Sequence, residues 1–202
     1  MPLDKLKYDA NFTAGGLLFN EFKALEDLLV NKDFENLIKI EEEQNNLIGI
    51  ATNSARKRII TEIKRRNKVA PNGFWEHFYN WSEEEQKLAL FYLCLKAYPL
   101  IMDIHIDVAL KKYRIGAKLD AYDIQMRFEE IMSYGEEVAS WSMATLKKLN
   151  VQYRKALRDA GLYDAKKVLK KPIKPSNQFW NFFKEINEHW FLEACFMDKK
   201  LI

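Results

Sequence analysis

The chain has 202 residues, of which 48% are hydrophobic and 30% are charged. This composition excludes a disordered chain, and the length excludes a miniprotein held together by disulfides. The 32 Lys and Arg nearly balance the 29 Asp and Glu, so the placement of charge is more informative than the net charge of +3. The 7 Gly and 5 Pro are too few for the frequent turns of a β-sandwich or barrel. We therefore predict an all-α fold, a compact multi-helix bundle.

Two amphipathic helices are predicted near the start of the chain, in an acidic region. Gly15 and Gly16 precede the first helix, and they indicate a turn because the lysine and third glycine of a nucleotide-binding loop are missing. Residues 21–43 hold eight acids and three lysines. The second helical pattern begins after Asp33 and continues to Leu47. The first pattern consists of Leu17, Leu18, Phe22, Leu25, Leu28 and Leu29.

A basic helix is predicted over residues 55–68, capped by Thr52, Asn53 or Ser54. It contains seven bases and a single acid, Glu62. At about 100° per residue, its apolar and basic positions fall on opposite sides. The apolar stripe consists of Ala55, Ile59, Ile60 and Ile63, and the basic face of Lys57, Arg58, Lys64, Arg65 and Lys68.

The middle of the chain is predicted to form the helical scaffold. Ser82 and Glu85 have the spacing of a capping box and open a long apolar helix that Pro99 should end or kink. Further helices are predicted over residues 100–113 and 119–134. No histidine has partners at ligand spacing, so we interpret all three as surface or hydrogen-bonded residues: His77, His105 and His189.

A second basic helix is predicted over residues 143–160, capped by Ser142 and ended by Gly161. A lysine-rich segment follows, and residues 141–175 hold ten bases and two acids. A final helix starts at about Asn177. The apolar side of the basic helix consists of Met143, Leu146, Leu149, Tyr153, Ala156, Leu157 and Ala160. The apolar stripe of the final helix consists of Phe179, Phe182, Phe183, Ile186 and Trp190.

The cysteines and one apolar stretch, residues 88–102, indicate the cellular compartment of the protein. Cys94 and Cys195 lie in apolar helical patterns, so neither a disulfide framework nor a zinc site is expected. Residues 88–102 contain Lys96 and Pro99, and are shorter than the roughly 20 apolar residues of a spanning helix. The first residues lack the pattern of a secretory leader. We expect a cytoplasmic protein with no membrane contact.

We predict one all-helical domain over residues 1–202, either undivided or with two lobes at about 1–80 and 81–202. Each lobe would then hold one of the two basic helices. No nucleophile with a base, metal cluster or phosphate loop occurs at a recognisable spacing. The sequence thus predicts no enzyme, no metal, no cofactor and no small-molecule substrate, although carboxylates remote in sequence could still meet in a cleft.

The two basic helices have the cations that nucleic-acid phosphates require. Each begins with a small polar cap, and the backbone N–H groups at a helix N-terminus can donate to a phosphate oxygen. Basic faces are also found on the solvated surfaces of lysine-rich proteins, and that interpretation stays open. Most aromatic residues fall at core positions rather than on a stacking platform. Duplex contact is therefore favoured over single-stranded binding.

Four segments resemble the BrxA family, in the same order: YDANFTAGGLLFNEF, QNNLIGIATNSARKRIITEIKRR, KAYPLIMDIHIDV and WSMATLKKLNVQYRKALRDAGL. The resemblance implies an all-helical cytoplasmic protein of BREX bacteriophage-defence systems that binds double-stranded DNA without catalysis. It also implies a bundle similar to the antitermination factor NusB. Family members have been labelled inner-membrane proteins, which the interrupted stretch at 88–102 argues against. The residues of this sequence at which the resemblance implies DNA contact are Thr52, Ser54, Arg56, Arg58, Ser142, Thr145, Lys148 and Arg154.

The leading hypothesis is a non-catalytic accessory protein that grips the backbone of double-stranded DNA. The alternative is a protein–protein adaptor that docks other BREX subunits through its acidic and basic faces, without direct DNA binding. A third hypothesis is a cryptic nuclease or other enzyme. The predicted DNA-binding residues are Thr52, Ser54, Arg56, Lys57, Arg58, Lys64, Arg65, Lys68, Ser142, Thr145, Lys147, Lys148, Arg154, Lys155, Arg158, Lys166, Lys167, Lys170 and Lys171.

Overall fold

The computed structural model describes residues 8–134 and 136–197, and this part of the chain is built from helices. It contains no β-strand, only an isolated β-bridge between Tyr163 and Leu169. The predicted all-α fold is thus confirmed. After a 3-10 turn at Asn11–Ala14, the helices are α1 (Phe19–Ala24), α2 (Glu26–Leu29), α3 (Phe34–Gln44), α4 (Asn53–Val69), α5 (Phe74–Phe78), α6 (Glu83–Ala97), α7 (Pro99–Ile104), α8 (Lys111–Arg114), α9 (Ala121–Tyr134), α10 (Glu136–Ala139), α11 (Met143–Asp159), α12 (Asn177–Glu185) and α13 (Trp190–Ala194).

Helix α6 is the centre of the bundle. Its predicted capping box is confirmed: the Ser82 side chain accepts from the Glu85 backbone N–H, and the Glu85 carboxylate accepts from the Ser82 backbone N–H. All eight residues from Leu88 to Leu95 are buried, so the helix is apolar on every side, as a helix enclosed by others must be. It contacts α1, α4, α5, α7 and α11.

Pro99 begins α7 after a sharp change of direction, since proline fits the first turn of a helix but not its interior. A π-helical segment, His105–Leu110, joins α7 to α8 without a break. Of the helices in residues 8–134 and 136–197, none is long and apolar enough alone to cross a membrane. Only α6 taken together with Pro99–Arg114 reaches that length and composition, and the two are bent by 110°.

The N-terminal helices differ from the prediction at their ends. Leu17 and Leu18 lie before α1, and Leu18 is in the left-handed region. The expected single helix is split into α1 and α2 at Leu25, whose φ of −103° and ψ of 20° are not helical. Leu47 lies beyond α3 because the buried carboxylate of Glu41 accepts the backbone N–H groups of residues 46–48 at 3.0–3.1 Å. This carboxylate holds the chain in a loop where the apolar pattern alone suggests more helix.

The C-terminal helices close the aromatic core. The predicted stripe of α12 is confirmed for Phe179, Phe182 and Phe183, which are buried. The extension of that helix to Trp190 is wrong: α12 ends at Glu185, Asn187 adopts a positive φ of 59°, and Trp190 begins α13. The change of direction stacks Trp190 on Tyr92 of α6, with ring centroids 5.7 Å apart.

A fully buried arginine ties three parts of the chain together. The guanidinium of Arg66, in α4, donates to the carbonyl oxygens of Gly16 and Leu17, both at 2.7 Å, and to the hydroxyl of Tyr98 at 3.1 Å. The Tyr98 hydroxyl in turn donates to the buried carboxylate of Glu62. Because these groups have no access to water, each depends on the others for its hydrogen bonds.

His105 is buried in the π-helical segment, which confirms its interpretation as a hydrogen-bonded residue. Its Nε2–H donates to the Ala194 carbonyl at 2.8 Å, so its Nδ1 accepts from the Tyr153 hydroxyl at 2.9 Å. Burial lowers the pKa of His105 to about 4. The ring is neutral at pH 7 and joins α11 to α13.

We expect the substitution Arg66→Ala to lower the free energy of unfolding by about 3–5 kcal/mol. It removes one member of a buried charged network and leaves the carbonyl oxygens of Gly16 and Leu17 without donors. Urea unfolding followed by circular dichroism measures the change. Lys57→Ala, at an exposed position of the same helix, is the control and should alter stability by less than about 0.5 kcal/mol. Similar losses in both variants would contradict the importance of the buried network.

The stability of the protein should fall as the pH decreases from 7 to 5. The unfolded chain binds a proton at His105 near its ordinary pKa of 6.5, whereas the folded chain does so only near 4, so acid favours unfolding. We expect this residue to contribute about 2 kcal/mol of lost stability over that range. Urea unfolding of the wild type and of His105→Gln at several pH values between 7 and 5 isolates this contribution, since the two chains differ only at this residue. An equal dependence of the free energy of unfolding on pH in the two chains would contradict the lowered pKa of His105.

Candidate nucleic-acid interface

Helix α4 has the predicted basic composition, but its arginines are used within the fold. Thr52 is confirmed as the cap, since its hydroxyl accepts from the Ala55 N–H at 3.3 Å. Ala55 is exposed and not part of the apolar stripe, which corrects the prediction. The Arg56 side chain donates through Nε to the Glu42 carbonyl at 2.6 Å and through a terminal nitrogen to the Ile50 carbonyl at 3.3 Å. It therefore closes the loop between α3 and α4.

Two further arginines fasten α4 to the N-terminal segment. Arg58 donates to the Thr13 hydroxyl at 2.6 Å. Arg65 pairs with Asp9 at 2.6 Å and lies over the Tyr98 ring. The cations that remain available to a partner are lysines. In the described part of the chain, no ion pair engages Lys57, Lys64 or Lys68; Lys57 and Lys68 are exposed and Lys64 is half-buried.

Helix α11 begins and ends where the sequence predicts. The Ser142 hydroxyl accepts from the Thr145 N–H at 3.2 Å and lies 3.0 Å from the Thr145 hydroxyl. Gly161 has a positive φ of 74° just beyond the last turn, the conformation of a helix-ending glycine. Met143 is 65% exposed, so its assignment to the apolar core side is wrong. As the first residue of α11, it lines an open groove together with Met132 of α9 and is not covered.

The basic residues of α11 occupy the whole width of its exposed face. Lys148 and Lys155 share one edge, two turns apart, and Lys155 borders the same polar cavity as Gly15. Arg154 lies on the opposite edge, where its Nε donates to Asn150 at 2.9 Å. At that edge Lys147 lines a groove between α9 and α11. Arg158 covers the Tyr163 ring, and Lys155 forms an ion pair with Asp159 at 3.8 Å.

The N-terminal segment of residues 11–16, which we call the bridging segment, joins the two basic helices. Its 3-10 turn contacts both α4 and α11. Thr13 accepts from Arg58 of α4, while a Cβ atom on Gly16 would lie only 3.2 Å from the Gln152 side chain of α11. Gly16 also has a positive φ of 60°, so both its backbone and its surroundings favour glycine. The bridging segment thus packs between α4 and α11 and fixes the position of one basic helix relative to the other.

The lysine-rich segment follows the C-terminal end of α11 and reaches the start of α9. The Leu119 N–H donates to the Lys167 carbonyl at 3.0 Å, and the Lys167 ammonium pairs with Asp120, which lowers the pKa of that carboxyl. These contacts hold the segment against the start of α9. Of its other bases, Lys166 and Lys171 are exposed and Lys170 is half-buried.

Sequence reasoning missed the residues that unite the two helices. Asp9 accepts from the Asn11 N–H at 2.9 Å and pairs with Arg65, and Thr13 receives Arg58. The available signal was the Asp-Ala-Asn turn followed by a glycine pair, but this local pattern does not reveal contacts about fifty residues away. No group of three or more His, Cys, Asp or Glu residues is placed to hold a metal within residues 8–134 and 136–197.

Comparisons with known proteins agree with the resemblance found in the sequence. The BREX protein BrxA of Bacillus cereus (strain H3081.97) is 27% identical over 156 residues, which cover 76% of this chain and 78% of that protein. A crystal structure of an uncharacterized protein from Magnetospirillum magneticum matches with a TM-score of 0.80 at 20% identity, over 94% of this chain and 98% of that one, and shows a shared fold alone. The family model of BrxA matches residues 6–185. The resemblance found in the sequence is therefore confirmed, and this chain belongs to the BrxA family.

Proposed function

We propose that this protein is a non-catalytic, cytoplasmic accessory protein of a BREX phage-defence system that binds double-stranded DNA. The observation that supports the proposal is the bridging segment, which packs between α4 and α11, the two helices that carry exposed lysines. The name of the Bacillus cereus relative supports the BREX assignment. The expected likeness to NusB stays a prediction.

The proposed contact is with phosphates rather than with base edges. Lys57, Lys64 and Lys68 on α4, with Lys148 and Lys155 on α11, supply point charges that neutralise phosphates and release counterions. The arginines best suited to a bidentate contact with guanine, Arg56 and Arg65 among them, are committed to partners inside the fold. Binding should therefore depend weakly on DNA sequence and strongly on salt.

The double substitution Lys57→Gln/Lys64→Gln should weaken duplex binding at least tenfold at low salt, because two phosphate contacts are lost. The slope of log affinity against log salt should decrease by about 0.9 for each contact, and hence by about 1.8 in total. Fluorescence anisotropy with a labelled duplex of mixed sequence, repeated across a salt series, measures both quantities. The loss should be similar for unrelated duplex sequences.

Lys32→Gln/Lys39→Gln is the matched control, because it removes the same charge from exposed lysines in the acidic N-terminal region. It should leave the salt slope unchanged. Equal effects of the two double variants would mean that only net charge matters and would remove α4 from the interface. No duplex binding by the wild type, even at low salt, would favour the adaptor hypothesis. Duplex consumed in the presence of Mg²⁺ would instead indicate a nuclease.

A further inference from the structure

A groove of about 430 Å³ runs between α9 and α11. The two helices are antiparallel: Asn150 of α11 donates to the Ala121 carbonyl at the start of α9, at 2.7 Å, while Met143 and Met132 line the other end. The groove therefore extends from Met143 to Arg154 along α11, about 17 Å or three helical turns. Its apolar lining consists of Ala121, Phe128, Met132, Met143, Ala144, Leu146 and Val151.

Two of these apolar side chains are open to solvent. Met143 is 65% exposed and Val151 is 46% exposed, although they lie on the side of α11 that faces α9. An apolar strip left uncovered between two packed helices has the shape that a third helix fills in a bundle. Methionines at its end, Met132 and Met143, can adjust their conformation to an incoming side chain.

The two walls of the groove differ in charge. The α11 wall carries Lys147 and Arg154, and the guanidinium of Arg154 is held in place by Asn150 at 2.9 Å. The α9 wall carries Glu129, whose carboxylate already accepts from the Gln125 amide at 2.9 Å. A bound molecule would thus meet two cations along the α11 wall. The Glu129 carboxylate on the α9 wall is already hydrogen-bonded to Gln125.

We propose that this groove binds an amphipathic helix of a partner protein, with apolar residues on one face and carboxylates along the edge that meets α11. The apolar face would anchor at i, i+3 or i+4, and i+7, which spans the length of the groove. The carboxylates would pair with Lys147 and Arg154. This function is separate from DNA binding, which uses α4 and the Lys148 and Lys155 edge of α11.

Other occupants fit the groove less well. Nucleic-acid phosphates gain nothing from an apolar floor that contains Phe128 and Leu146. A second copy of the chain that faced the first with the same groove would present one concave surface to another, and neither would be filled. A helix with an acidic edge satisfies both the shape and the charge.

The test uses the full chain and two synthetic helical peptides of about fourteen residues with the same apolar face. One peptide carries glutamates, and the other lysines, along the edge expected to meet α11. We expect the acidic peptide to bind at least tenfold more tightly than the basic one in fluorescence anisotropy. Val151→Glu, in the groove, should weaken the acidic peptide at least tenfold. Val30→Glu, at a similarly exposed valine on the acidic N-terminal region, should not.

A charge exchange keeps the test valid if Val151→Glu fails to fold. Lys147→Glu, at an exposed position, should weaken the acidic peptide and strengthen the basic one. The proposal is overturned if neither peptide binds, if both bind equally, or if Val30→Glu and Val151→Glu act alike. It is also overturned if analytical ultracentrifugation shows that the protein alone self-associates and that Val151→Glu prevents this, because the occupant is then a second copy.

Discussion

The architecture depends on one buried guanidinium. Arg66 satisfies the carbonyl oxygens of Gly16 and Leu17, which face the interior, and reaches Tyr98 at the end of α6. Burying an arginine is costly unless its nitrogens have acceptors, and each of the three nitrogens of this planar guanidinium meets an oxygen, two from adjacent residues and one from Tyr98. A lysine ammonium in its place is a single point charge and lacks that geometry. The same contact fixes where α4, with its exposed lysines, lies relative to the bridging segment.

Helical periodicity and capping residues predicted much of this fold. The caps at Ser82 and Ser142 are formed by short-range contacts, so local sequence contains all the information they need. The basic surface was less predictable, because counting charges along a helix does not show which of them are buried. Arg66 has no exposed surface at all. Its partners lie 32 to 50 residues away, and local patterns carry no record of such contacts.

Helix α11 separates two kinds of chemistry along its length. One edge carries Lys155, which borders a polar cavity together with Gly15 of the bridging segment, and the other forms the charged wall of an apolar groove. In the proposed arrangement, DNA and a partner helix approach opposite edges, and neither blocks the other. A protein with this division can link a partner to the duplex without any catalytic group. The basic residues of α11 thus lie on both edges of this helix, with Lys155 on one and Lys147 and Arg154 on the other.

The bridging segment also bears on the order of folding. The contact from Gly16 to Arg66 spans 50 residues, and that from Tyr8 to Asp103 spans 95, whereas α9, α10 and α11 meet through short connections. Loop-closure entropy delays contacts between distant parts of the chain until enough of the bundle exists to receive them. We therefore expect the N-terminal residues, the bridging segment among them, to dock onto a bundle that is already largely formed. In partly folded chains α4 and α11 would then lack the contacts through Thr13 and Gly16 that hold the two helices to one segment.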